Sequence, residues 1–109
     1  MNNISIDQTT HTIYCQLSVI NSDTFTHLRN EILNYENKIA AIYSGILSVI
    51  NQGNVSSNMF HIDIKPQPIN LVISQRCSVD MLYILGELQT LPHSYGLNIT
   101  WNNTNIFIP

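Results

Sequence analysis

Three side chains with catalytic chemistry alternate with apolar ones in the stretch MFHIDIKPQPINLVIS, residues 59–74. His61 could serve as a base, Asp63 could orient it, and Lys65 could stabilise an oxyanion or a phosphoryl group. On a strand, residues two apart point the same way but sit about 7 Å from one another. That is too far for a direct hydrogen bond between His61 and Asp63. A working dyad would need a third group from another element. His11, His27 and His93 exist, but nothing in the sequence brings them close. The plainer reading is the wet side of a strand.

Other chemistry has less support. There is no His-x-x-x-His, no His-Glu-x-x-His and no paired Cys spacing, so no metal site is expected. The glycines at 45, 53, 86 and 96 are isolated and form no phosphate-cradling loop. Cys77 follows Arg76 just before an expected helix start, a setting that can lower a thiol pKa. No His lies near it in sequence to act as base. Cys15 and Cys77 read more simply as small buried hydrophobes. No cofactor is implied.

The elements that would position these residues are easier to read. Thr12 to Ile20 alternate, placing Ile13, Cys15, Leu17 and Val19 on one face of a strand. The preceding NISID is a candidate partner strand, turning through Gln8 to Thr10. Ser22 or Asp23 can cap a long helix over about 24–51. Its apolar residues, Phe25, Leu28, Ile32, Tyr35, Ile39, Ile42, Ile46 and Val49, recur at steps of three and four. A helix of that length is about 40 Å long, while a domain of this size has a radius of gyration near 13 Å. It must therefore cross the whole body, protrude or bend. The stripe also admits a coiled-coil dimer, but the flanking strands need a cover, which favours a helix laid on a sheet. Ala41, Ser44, Gly45 and Ser48 leave a shallow, nearly uncharged groove on the back of this helix.

Phe60, Ile62 and Ile64, then Ile69, Leu71 and Ile73, read as a hairpin stiffened by Pro66 and Pro68. Ser78 is placed to cap a shorter helix over about 79–90, with Met81, Ile84, Leu85 and Leu88 inward. LNITW and NIFIP around NNT read as a terminal hairpin. The expected fold is one α+β domain over 1–109. A mainly antiparallel sheet of five or six strands is covered on one face by both helices.

Composition excludes some partners. The chain has 109 residues, four Lys and Arg against seven Asp and Glu, and only 10% charged residues. Four scattered cations cannot neutralise a run of phosphates or form a polybasic membrane patch, which excludes nucleic acid and membrane as partners. Neither a signal-peptide pattern nor a span of about 20 apolar residues is present, so the expected location is cytoplasmic. Weak charge repulsion permits self-association.

A small charge-poor domain without a catalytic grouping points to a binding protein. The class that suits it is the bacterial immunity or antitoxin protein. Such a protein inhibits a cognate toxin, encoded next to it, by direct one-to-one binding. A nuclease toxin would present a basic site for acids to cover. The expected contact residues are Asp63 and His61 on the hairpin, Glu31 and Glu36 on the long helix, Asp80 and Glu87 on the short one, and Trp101 on the last hairpin. Two alternatives stand beside this reading. One is a small enzyme using His61, Asp63 and Lys65; the other is a homo-oligomeric structural or phage accessory protein.

Overall fold

The computed structural model describes residues 3–51, 67–91 and 96–109. Seven strands and two helices run in the order β1 (Ile4–Asp7), β2 (Thr12–Cys15), β3 (Val19–Ile20), α1 (Ser22–Asn51), β4 (Ile69–Ile73), β5 (Ser78–Val79), α2 (Met81–Gln89), β6 (Leu97–Trp101) and β7 (Thr104–Ile108). Five strands form one sheet in the order β1-β2-β4-β6-β7, and β3 pairs with β5 in a small second sheet. The fold is α+β.

The sheet is mixed. Its outer pairs, β1 with β2 and β6 with β7, are antiparallel hairpins, whereas β2, β4 and β6 run parallel through the centre. Parallel neighbours require a crossover, and α1 and α2 supply them. Both crossovers step in the same direction along the sheet. With the usual right-handed connection, that puts both helices on one face. β4 is bonded to β2 on one side and β6 on the other, so the hairpin expected between 60–64 and 69–73 has no edge of β4 left to use. Residues 60–64 themselves lie outside the described residues.

The same short plan occurs twice. β2 leads through β3 into α1, and β4 leads through β5 into α2, with β2 alongside β4 and β3 alongside β5 in parallel. The break after Cys15 shifts the alternation expected of 12–20. Val19, expected inside, is exposed, and Ile20 is buried in its place.

The α1 start is set just before, and the α2 start two residues after, the cap that the sequence suggested. At α1, Asn21 Oδ1 accepts from the backbone N–H groups of Asp23 and Thr24, both at 3.1 Å. Thr24 Oγ1 accepts in return from the Asn21 N–H at 2.8 Å, a reciprocal cap that satisfies donors on both sides. At α2 the cap is Asp80, whose Oδ1 accepts from Leu82 N and Tyr83 N. Ser78, the expected cap, is instead paired in β5.

One core joins both helices to one side of the sheet. Phe25, Leu28, Ile32, Tyr35 and Ile39 of α1 and Ile84 and Leu88 of α2 pack with Ile13, Cys15, Ile69, Leu71, Ile73, Leu97, Ile99 and Ile108. The five buried α1 positions cover about 21 Å of helix axis, comparable with the ~17 Å length of a five-residue strand. Beyond them the helix has outrun the sheet. Ile42 is 55% exposed, and Ala41, Ser44 and Gly45 are exposed too. The molecule is accordingly elongated, 51 × 27 × 24 Å with a radius of gyration of 16.3 Å.

Candidate functional site

The strand alternation that buries one side of the sheet leaves the other side without a covering helix or strand among the described residues. Register places Ser5, Tyr14, Val72, Thr100 and Asn105 in one row across the five strands, and Asp7, Thr12, Asn70, Asn98 and Phe107 in the next. The outer face is therefore almost uncharged, with Asp7 its one ionisable acid among these ten positions. Asn98 Nδ2 donates to Asn70 Oδ1 at 3.3 Å, and Asn70 Nδ2 donates to the Thr10 carbonyl at 3.1 Å. This amide chain fixes the middle of the face. Thr12 is buried beside it, bonded through its hydroxyl to Thr10.

Two aromatic side chains stand on the bare face, Tyr14 at 38% exposure and Phe107 at 54%. Phe107 has a fixed seat. A Cβ added at Gly96 would fall 2.9 Å from the Phe107 ring, so that ring lies directly over the glycine backbone. Gly96 also has a φ of +62°, a left-handed conformation that costs glycine nothing. At the carboxyl ends of β2 and β4, Tyr14, Cys15, Gln16, Val72 and Ser74 line a shallow recess of about 380 Å³. Because both crossovers step the same way, the sheet lacks a strand-order reversal where α/β folds open a ligand crevice.

A second recess lies on the helix side, between the β1–β2 turn and the middle of α1. Gln8, His11, Tyr35, Lys38, Ile39 and Ile42 line about 170 Å³. Asp7 Oδ1 accepts from Thr9 N at 2.9 Å and shapes the turn. His11 closes it with a φ of 53°, and its carbonyl accepts from Asn70 N at 2.8 Å. The imidazole meets the Tyr35 ring edge-on, with centroids 6.2 Å apart.

The expected contact residues do not converge on one place. His61, Asp63 and Lys65 lie outside the described residues. Glu31 is half-buried on α1, and Glu87 is exposed on α2. Asp80 is exposed but engaged in capping α2. Trp101 packs against the core from the end of β6, its Nε1 buried and without a hydrogen-bond partner. Glu36 is 6% exposed, its Oε1 has no partner, and burial pushes its carboxyl up to about 7. Its charge is thus not offered to the surface.

The thiols are equally withdrawn. Cys15 and Cys77 are buried and free, and burial raises both above the usual thiol range. Desolvation outweighs any effect of neighbouring Arg76 on Cys77. Among the described residues, no three His, Cys, Asp or Glu side chains group as a metal site. No described helix is long and apolar enough to cross a membrane.

Sequence reasoning placed Val72 on the second face of its strand and expected partial cover there, but it did not single out Tyr14 and Phe107, nor Gln8, Tyr35 and Lys38. The first group did carry a signal. In TIYC and NIFI the outward position holds an aromatic residue where a polar one would suit a wet face. The second group depends on how a turn meets a helix 24 residues later, which no local pattern encodes. No protein-family model matches the chain, and neither does any curated protein or solved structure.

Proposed function

We propose that this protein is a non-catalytic binding module of the immunity type, inhibiting a cognate toxin by one-to-one contact through the bare face of its sheet. The observation that carries the reading is that face itself. It is nearly uncharged, pinned by side-chain amides and furnished with two exposed aromatic rings. Aromatic anchors on a firm base are what protein interfaces concentrate their energy in. The recess beside Tyr14 and Val72 would receive a side chain of the partner. Depletion of charge at the centre of the patch matches the anatomy of interface cores.

The area is adequate. The surface totals 7136 Å², and a standard interface takes about 800 Å² from each partner. Glu31, Glu87 and Asp63 would then act at a distance, steering a basic partner and setting the association rate.

The test is co-expression with the product of the adjacent reading frame. A stable one-to-one complex is expected, and the combined Tyr14→Ala and Phe107→Ala variant should bind at least about a hundredfold more weakly with its melting transition retained. Unchanged affinity of that variant removes the sheet face from the interface. Failure of the neighbouring product to bind removes the immunity reading.

A further inference from the structure

We propose that the recess between the β1–β2 turn and α1 binds a small monocarboxylate bearing one apolar ring or a short acyl chain. This site lies on the helix side of the sheet and is independent of the face assigned to a protein partner.

Size sets the first limit. At about 170 Å³ the recess is far smaller than a drug-sized pocket. It is close to the ~150 Å³ that suffices for benzene in an engineered cavity. The lining then divides by chemistry. Tyr35, Ile39 and Ile42 offer apolar surface, and Ile42 is the most exposed described side chain on the helix stripe. A ligand's apolar part would cover it.

Among the described residues, the polar side of the lining offers donors from Gln8, His11 and Lys38 and contains no acid. Lys38 forms no ion pair among the described residues, although the chain has only four Lys and Arg. His11 Nδ1 is shielded from solvent and has no hydrogen-bond partner. Gln8 adds an amide. An ammonium without an ion pair among the described residues, an imidazole and an amide, lining one recess with an apolar wall, suit an anionic head on an apolar body. A planar carboxylate can accept from two or three such donors at once.

The imidazole is also held in place beforehand. His11 sits in the left-handed region, where a non-glycine residue is strained. Its carbonyl is tied to Asn70 N, and its ring is braced against Tyr35. A donor fixed in this way loses little entropy when a ligand arrives.

Sodium benzoate is the probe, titrated into the full ¹⁵N-labelled chain and followed by amide shifts, with benzyl alcohol as the uncharged match. Saturable shifts confined to residues 8–11 and 35–42 are expected, with benzyl alcohol binding at least about tenfold more weakly. Lys38→Met, at an exposed helix position, should weaken benzoate by about tenfold or more. His11→Asn, which keeps a residue tolerant of the left-handed turn, should also weaken it. Three results would overturn the proposal: shifts that never saturate, equal affinity for benzyl alcohol, or a Lys38→Met protein that binds benzoate like the wild type.

Discussion

Replacing Glu36 with glutamine should remove a pH dependence built into the long helix. Glu36 is buried with one carboxylate oxygen lacking a partner, and burial raises its pKa from an ordinary 4.5 to about 7. The folded protein therefore holds a proton on Glu36 that the unfolded chain releases between those two values. Stability from this group is fully present below pH 4.5, falls through the interval, and levels off above about 7. The gap between the two pKa values, at about 1.4 kcal/mol per unit, amounts to about 3 kcal/mol. For a domain of this size that corresponds to a loss of about 12 °C in Tm between pH 4.5 and 8. Glutamine cannot ionise, so Glu36→Gln should lack this slope, whatever offset its own unpaired amide introduces. Urea unfolding of both proteins at half-unit steps from pH 4.5 to 8 is the assay. Every other titrating group, the histidines included, cancels in the difference between the two curves. A difference that stays flat with pH would refute the reasoning and place the Glu36 carboxyl in contact with water.

Other perturbations test the scaffold. Gly96→Ala forces a Cβ into the Phe107 ring and a side chain onto a φ of +62°, so thermal melting should show a loss of about 1–3 kcal/mol. Gly45→Ala, where an added Cβ meets nothing within 4 Å, should instead gain a few tenths to about 1 kcal/mol. Asp80→Ala removes the acceptor for Leu82 N and Tyr83 N and should cost about 1 kcal/mol, while Asp80→Asn should cost almost nothing. Ile32→Ala, at a fully buried position on α1, should cost about 2–5 kcal/mol in denaturant unfolding.

What the sequence disclosed follows the range of the forces involved. Periodicity is local, and it located the helix stripe through Phe25, Leu28, Ile32, Tyr35 and Ile39, the strands around Ile13, Leu71 and Ile99, and the terminal hairpin. The Asn102–Asn103 pair takes up the two positive φ values that a tight hairpin needs, 49° and 64°. Pairing partners are not local. The run Ile69–Ile73 reads the same whether its neighbour is antiparallel or parallel, and only the crossovers decide that β2 and β6 flank it. The end of the helix stripe at Ile39 is also invisible in sequence, because Ile42 fits the periodicity and loses its cover only when the sheet stops. The acids suffered most from this limit. Glu36 looks like any surface acid in a helical repeat, yet it is buried, and Asp80 is engaged by the helix it caps.

The topology explains why a chain so poor in charge has such a bare sheet face. Two crossovers in one direction commit both helices to one side, so the other side must make its own terms with solvent. The solvated face of a sheet ordinarily carries polar residues. Here the middle strands place Asn70 and Asn98 on it, and these bond to each other and to the β1–β2 turn. Amides satisfied within the face leave fewer bonds to break when a partner displaces water, and they carry no charge to desolvate. Tyr14 and Phe107 then supply the apolar area. Phe107 keeps 54% exposure over Gly96, whose missing Cβ leaves room for the ring, and this outward apolar area is why we propose contact rather than solubility as the role of the surface.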